Sequence, residues 1–529
     1  MIDKIHTETM AKKATKAKPT KSMEEALWES CNKMRGSVEP SEYKHVVLSL
    51  IFLKYAGDHF DQKHKEICEQ YGDDYADMVE FYAQDNVFYI PAECRWSYIM
   101  ENAKQDNIFQ IIDDALANIE KSNKQLDGAL PSNYYSNLGL DRSKFAALLD
   151  EINKLDTLKD EENDIIGRVY EFFLGKFAIA EGKGKGEFYT PKSIVNLIAE
   201  MIEPYDGKIY DPCCGSGGMF VQSMKFVKAH HGNQKNISVY GQEYTKTTYK
   251  LARMNLAIRG INADIRLGDT FHNDQHKDLK ADYIMANPPF NQKDWRADNE
   301  LTSDARWAGY DVPPSGNANY GWILNILSKL STDGMAGFIL SNGALSADGT
   351  ELAIRKKLLE RGKVEAICIL PNKLFYSTDI SVTLWILNNN KKSRVIEKNG
   401  EERHYRDREK EILFFDLRQM GSTYEKKYVE LVEETRNKVT STFHAWQQEG
   451  YETTYHDIPE FCKSVNLDEL NGWSLVPSKY IEFANRDEEI DFESKMKELS
   501  AEISEIMKER KIQDKEISDL FRTLGFELV

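Results

Sequence analysis

Apolar residues change their spacing along this chain, and each change marks a different kind of structure. From 23 to 167 they recur at helical intervals with few strand signals, and Val46, Val47, Leu50, Phe52, Leu53 and Tyr55 predict one buried helix. Pro91 and the stretch from Asp127-Gly128 to Pro131 interrupt this helical series. From 168 to 388 short apolar runs alternate with helical patterns. Strands are predicted at 208–210, 237–242, 263–267, 283–286, 336–340, 366–370 and 382–387. Helices are predicted after Thr190-Pro191 (through Ile194, Leu197, Ile198, Met201 and Ile202), from Met219 (through Phe220, Met224 and Val227), and at 245–259. Thr190 reads as an N-cap and Pro191 as the first helical residue, so helix initiation by itself explains that pair. The fold class is α/β, a Rossmann-like domain with a helical domain before it and a helical extension after it.

The charged stretch 388–411 reads as a solvated hairpin or loop, followed by a strand at 412–415. Near the C-terminus Phe492, Met496, Leu499, Ile503 and Ile506 recur at alternating four- and three-residue steps. Ile517, Leu520 and Leu524 resume that register, with Arg510 and Gln513 on the seam between them. Such a seam wants a second helix, from this chain or from a partner. The expected organisation is a basic tail at 1–22, a helical domain at 23–167, an α/β domain at 168–388, a mixed charged extension at 389–484 and a terminal helix at 485–529.

Composition narrows the class. A chain of 529 residues fits about three domains. Hydrophobic residues make up 41% and aromatic residues 11%, enough for packed cores. There is no run of about 18 apolar residues and no signal peptide, which leads us to expect a soluble cytoplasmic protein without a membrane role. The seven cysteines are scattered apart from Cys213-Cys214, which suits reduced thiols and makes a poor zinc site, so no metal is expected. Net charge is −17, the wrong sign for a chain that grips DNA unaided. Basic residues gather only locally, as at Lys12, Lys13, Lys16, Lys18 and Lys21 in the tail. That tail is expected to be disordered, and Asp3 and Glu8 argue against a transit peptide.

Candidate chemistry lies at strand ends. The run Tyr283-Ile284-Met285-Ala286 stops at Asn287-Pro288-Pro289-Phe290. The prolines stiffen the turn because neither donates a ladder hydrogen bond and each fixes its own φ. An amide and a proline carbonyl beside an aromatic ring suit an exocyclic NH2 on a flat heterocycle, although a strand-ending turn alone would also explain them. Upstream, Asp211-Pro212-Cys213-Cys214-Gly215-Ser216-Gly217-Gly218 joins a short strand to a helix. There a ligand can approach backbone N–H groups. The glycine spacing is not G-x-G-x-x-G, which disfavours a nicotinamide dinucleotide. Glu243 and Asp269 each follow a strand, and together with the glycine loop they favour a nucleoside-containing cofactor.

With Gly186-Glu187-Phe188-Tyr189-Thr190-Pro191, Asn317-Ala318-Asn319-Tyr320-Gly321-Trp322 and Leu370-Pro371-Asn372-Lys373-Leu374-Phe375-Tyr376 added, these motifs span most of 186–387. The set resembles the γ-class amino-methyltransferases, specifically the modification subunit of type I restriction–modification systems. Cys213-Cys214 departs from many relatives, which carry other small residues there. The resemblance implies an S-adenosylmethionine-dependent, adenine-specific DNA methyltransferase. In it Glu187, Phe188, Tyr189, Thr190, Pro191 and Lys192 border the cofactor pocket, as do Asp211 and Gly215. Ser216, Gly217 and Gly218 pass its methionyl part, Glu243 holds the ribose hydroxyls and Asp269 the adenine amine. Asn287 and the Pro288 carbonyl accept from the target amine, Pro289 keeps the turn rigid and Phe290 stacks on the base. The base leaves the DNA stack to reach them. The implied partners are a specificity subunit that holds the double-stranded DNA and a motor–nuclease restriction subunit, with two copies of this chain per complex. Other readings are a protein-glutamine N5-methyltransferase, which usually has Tyr in place of Phe290 and a shorter chain, a standalone DNA methyltransferase, and a non-catalytic assembly subunit.

Overall fold

The computed structural model describes residues 23–32, 40–158, 169, 171–173, 175–176, 190–375, 379–424, 428–483 and 492–523. Glu187, Phe188, Tyr189, Tyr376 and Leu524 lie outside the described residues. The chain divides into two compact units, 1–481 and 482–529.

The first unit opens with helices α1 (Met23–Asn32), α2 (Pro40–Tyr71), α3 (Val79–Gln84), α4 (Trp96–Glu101), α5 (Ile108–Ser122) and α6 (Arg142–Asn153). In α2, Val46, Val47, Leu50, Phe52 and Leu53 are buried and Tyr55 is half-buried. Pro91 separates α3 from α4, and 127–131 separate α5 from α6, because proline lacks an N–H to donate and Gly128 takes φ +70°, outside the helical region.

Helices α7 (Lys192–Ile202), α8 (Gly218–Ala229), α9 (Lys246–Ile258), α10 (Asn319–Lys329), α11 (Thr350–Glu360) and α12 (Glu433–Gln447) accompany a nine-stranded sheet. Its strands are β1 (Gly207–Asp211), β2 (Ile237–Glu243), β3 (Ala263–Leu267), β4 (Ala281–Ala286), β5 (Leu330–Ser341), β6 (Val364–Ile369) and β7 (Val382–Asn388). A small sheet of β8 (Arg394–Lys398), β9 (Glu401–Tyr405) and, later, β13 (Gln448–Glu449) stands apart. The strand β10 (Glu411–Asp416) and, beyond the pair β11 (Ser422–Tyr424) and β12 (Tyr428–Glu430), the strand β14 (Cys462–Asn466) extend the large sheet.

The large sheet runs β14-β10-β6-β7-β5-β4-β1-β2-β3. β7 pairs antiparallel with both β5 and β6, whereas β5, β4, β1, β2 and β3 are parallel throughout. Chain order reverses between β1 and β4, and the carboxyl ends of neighbouring strands at such a switch form a crevice. Both faces are buried. Val382, Leu384 and Ile386 of β7 enter one core while Trp385 and Leu387 enter the other, as the two-residue side-chain period requires. Leu251, Met254 and Ile258 of α9 belong to the core of the helical region, which therefore packs on the helix between β2 and β3.

Two expectations change. β5 begins at Leu330, six residues before the apolar run at 336, and its pairing with β4 is irregular between Ala281 and Tyr283. The stretch 388–411 does contain a hairpin, but Lys391, Lys398 and Arg408 within it are buried against partners rather than solvated. No helix among the described residues is long and apolar enough to cross a membrane.

Candidate active site

β1 and β4 pair in parallel, with Ile209 opposite Tyr283 and Tyr210 opposite Ile284. The glycine loop after Asp211 and the turn at Asn287 therefore leave the sheet side by side. On the other flank of β1, Asp211 lies opposite Gly241 of β2, which ends at Glu243. Three chain segments far apart in sequence thus meet at one edge.

The loop is held by its own backbone and by Glu243. Asp211 is buried and its Oδ1 accepts from the Cys213 N–H at 2.9 Å. Glu243 accepts from the Gly215 N–H at 3.0 Å through one oxygen and from the Thr245 N–H at 2.8 Å through the other. Gly215 and Gly217 have φ of +54° and +79°, conformations that side chains with a Cβ rarely adopt. Gly217 caps α8 with no side-chain hydrogen bond, and a Cβ on Gly218 would meet nothing within 4 Å. The start of α8 is therefore left without a side-chain cap, the arrangement in which a helix N-terminus receives a negatively charged group. Ser216 lines a cleft with Thr190, Lys192 and Gly218. Asn255 on α9 pins the loop by donating to the Ser216 carbonyl at 2.7 Å, a role without any local sequence signal.

Burial pushes the Asp211 carboxyl up to about 7; the Cys213 N–H opposes this and the charge of Glu243 adds to it. Burial likewise pushes the Cys213 and Cys214 thiols well above the usual range, so both behave as small neutral side chains.

Past β3, Asp269 accepts through Oδ1 from the N–H groups of Phe271 and His272, at 2.7 and 2.9 Å. Next to Glu243 lies Tyr244, whose side chain is 73% exposed. Sequence reading passed over Tyr244, and the only available signal was its place after the strand-ending acid.

At the β4 end, Pro288 is buried and Asn287, Pro289 and Phe290 are half-buried. Thr190 does not cap α7, since Pro191 occupies that position with φ −56° and ψ 137°. The Thr190 hydroxyl instead accepts from Asn287 Nδ2 at 3.0 Å. This corrects the helix-initiation reading: the threonine is engaged by a residue on another strand. Asn287 Oδ1 is buried with no hydrogen-bond partner among the described residues. The Phe290 ring meets Phe375 edge-on, with centroids 5.9 Å apart and planes at 86°. Phe375 comes from the Leu370–Tyr376 motif, which explains why that motif accompanies the Asn-Pro-Pro-Phe turn.

A family model described as N-6 DNA Methylase matches residues 161–489, and one described as HsdM N-terminal domain matches residues 23–154. The methylase subunit of the type I restriction enzyme MjaIX from Methanocaldococcus jannaschii is 34% identical over 96% of this chain and 92% of its own length. The HindI methylase subunit of Haemophilus influenzae is 39% identical, covering 83% of this chain and all (100%) of its own. Among solved structures, a type I restriction-modification system methyltransferase subunit from Streptococcus thermophilus shares the fold, with a TM-score of 0.71 and 22% identity over 87% of this chain and 99% of that one. The chain belongs to the N-6 DNA methylase family, among the methylase subunits of type I restriction enzymes.

Proposed function

We propose that the crevice between β1, β2 and β4 transfers a methyl group from S-adenosylmethionine to the 6-amino group of adenine in DNA, with Asn287 receiving the target amine. The observation that carries this reading is the unpartnered, buried Oδ1 of Asn287. Leaving such an acceptor unmet costs about 1–3 kcal/mol, a cost that an amine donor from a substrate removes.

The cofactor fits the residues present. Glu243 closes β2 with its carboxylate against the Gly215 and Thr245 N–H groups, which sets an acceptor group beside the glycine loop, where a ribose hydroxyl would bind. Asp269 Oδ1 is engaged by its own turn, so its second oxygen is the acceptor for the cofactor's adenine amine. The exposed ring of Tyr244 gives that adenine a flat apolar face. The uncapped start of α8, with Gly215, Ser216, Gly217 and Gly218, suits the methionyl carboxylate. Thr190 and Lys192 stand on the opposite wall of that cleft, behind Pro191 at the start of α7. When bound, S-adenosylmethionine supplies an electrophilic methyl on a sulfonium.

The chain's part is positioning. The adenine amine is a poor nucleophile because its lone pair is delocalised into the ring. Hydrogen bonds donated by its N–H groups to Asn287 Oδ1 and the Pro288 carbonyl favour a pyramidal nitrogen whose lone pair faces the methyl. Phe290 stacks on the extruded base and excludes water, and Pro289 limits the turn's freedom.

A net charge of −17 supports delegation of DNA binding to a partner. In this reading a specificity subunit holds the double-stranded DNA, a motor–nuclease restriction subunit joins for cleavage, and two copies of this chain serve each complex. The relatives' identity as restriction-enzyme methylase subunits favours DNA over a glutamine side chain as substrate.

The test is a digest of DNA methylated by this chain with its specificity subunit, with the modified nucleoside identified by mass spectrometry. N6-methyl-2′-deoxyadenosine is expected. Asn287→Ala should lower turnover about a hundredfold or more while keeping cofactor affinity. Glu243→Ala should weaken cofactor binding about ten- to a hundredfold in a calorimetric titration. Only 4-methylcytosine, or methylated protein instead of DNA, overturns the assignment.

A further inference from the structure

The motif Asn317–Trp322 has no part in the chemistry described so far, yet Asn319 is 1% exposed and fully engaged. Its partner is Asn291, the residue immediately after Phe290. Asn291 has φ +50°, a left-handed conformation that asparagine tolerates better than other side chains and that its neighbours here hold in place.

The enforcement comes from two directions. A backbone N–H can only donate, so the bond from Asn291 N to Asn319 Oδ1, at 3.1 Å, settles which end of the Asn319 amide is oxygen. Asn319 Nδ2 is then free to donate to Asn291 Oδ1, at 2.9 Å. Ser341, the last residue of β5 and only 4% exposed, donates to the same oxygen at 2.7 Å. Asn319 Nδ2 also lies 3.2 Å from Ser341 Oγ, and its backbone N–H reaches Asn317 Oδ1 at 2.9 Å. One residue on, Gln292 accepts from the Ala318 N–H at 2.9 Å. The chain leaving Phe290 is thus fastened to the start of α10 and the end of β5, while Phe375 meets the ring from elsewhere.

We propose that Asn319, with Ser341, is a positioning residue for methyl transfer: it latches Asn291 in the left-handed conformation and so sets where Phe290 stacks on the target base. This rests on the reading that Asn287 to Phe290 receive that base. Among the described residues, Asn319 makes its hydrogen bonds outside its own helix with Asn291, Asn317 and Ser341. It acts through the turn.

The experiment measures tritiated methyl transfer to unmethylated bacterial genomic DNA by the complex of this chain with its specificity subunit. Asn319→Ala should lower kcat about a hundredfold, the effect of a small misplacement of reacting groups, with unchanged KM for S-adenosylmethionine. Adding Asn291→Gly should restore about tenfold, because glycine adopts a positive φ without a latch. A merely structural role for Asn319 predicts a lowered melting temperature and no rescue, and that result overturns the proposal. So does wild-type kcat in Asn319→Ala while Asn287→Ala is inactive, which leaves the target-base reading standing. If Asn287→Ala is also fully active, that reading itself fails.

Discussion

At the scale of single residues, Asp211 ends β1 and Asn287 follows β4, and each holds a polar oxygen out of water, but their problems differ. Asn287 lacks a partner that a substrate can supply. Asp211 has its partner, and its problem is charge: burial pushes its carboxyl to about 7, with Glu243 adding to the rise. A raised carboxyl pKa means the folded state binds more protons than the unfolded one between the ordinary value of 3.8 and about 7. The associated stability is fully present below the lower value and is lost as pH rises through the upper one. Asp211→Asn keeps an oxygen for the Cys213 N–H and removes the titration. Its melting temperature relative to wild type should therefore climb as pH goes from about 4 to 8. Parallel melting curves across that range would show that Asp211 is not held neutral by its site. Both residues were legible in the sequence because strand-ending turns are written locally. The bond between Thr190 and Asn287 was not, since the two residues are 97 positions apart.

At the scale of elements, the hairpin β8–β9 shows what charge patterning misses. Its turn, Asn399-Gly400, has φ of +51° and +79°, the geometry that asparagine followed by glycine favours between antiparallel strands. The charge of the stretch suggests a hairpin or a loop, and this turn decides for the hairpin. Its lysine and arginine were read as solvated, whereas Lys398 donates to the Ile202 carbonyl at 3.1 Å and Arg403 pairs with Glu203. Glu203 follows α7 with φ +51° and is buried. Burial opposes its ionisation, but His444, Lys398 and Arg403 outweigh that and hold its carboxyl at about 2. The sign is opposite to that of Asp211: the stability is present above the ordinary carboxylate range and is lost as pH falls through about 2. Glu203→Ala would leave the hairpin's cations buried without their counter-charge, at a cost of about 3–5 kcal/mol in urea unfolding. A loss below about 1 kcal/mol, the value of a surface pair, would mean that solvent reaches the cluster.

At the scale of the whole molecule, the second unit carries the helix α13 (Phe492–Thr523), continuous over 32 residues. Along its seam Met496, Leu499, Ile503, Ile506 and Ile517 are 40–62% exposed. The heptad pattern called for another helix, and exposed seam residues are what a docking helix presents before its partner arrives. Replacing Leu499 and Ile503 together with Asp places charge in any helix–helix contact there, which is strongly unfavourable. The double variant should keep its affinity for S-adenosylmethionine and its melting temperature, but stop co-purifying with the specificity subunit. Retained co-purification would assign the docking surface elsewhere, and unfolding of the first unit would assign the seam to this chain.

The chain by itself determined whatever depends on neighbours in sequence. Short apolar runs placed β1, β2 and β4, and helical apolar spacing placed α2 and α9. Proline and glycine marked the turns after β1 and β4, and the acids closing β2 and β3 were visible as strand-ending residues. Tertiary structure decided everything that required distant segments to meet. Parallel pairing of β1 with β4 brought the glycine loop beside Asn287. The fold drew Thr190, Asn255, Asn319 and Phe375 onto those turns and buried Lys391, Lys398 and Arg408 beneath what read as a charged surface. The reason is physical: a backbone turn is set by the dihedral preferences of a few adjacent residues. A buried hydrogen bond or ion pair exists only where the packed core leaves two groups no water to prefer.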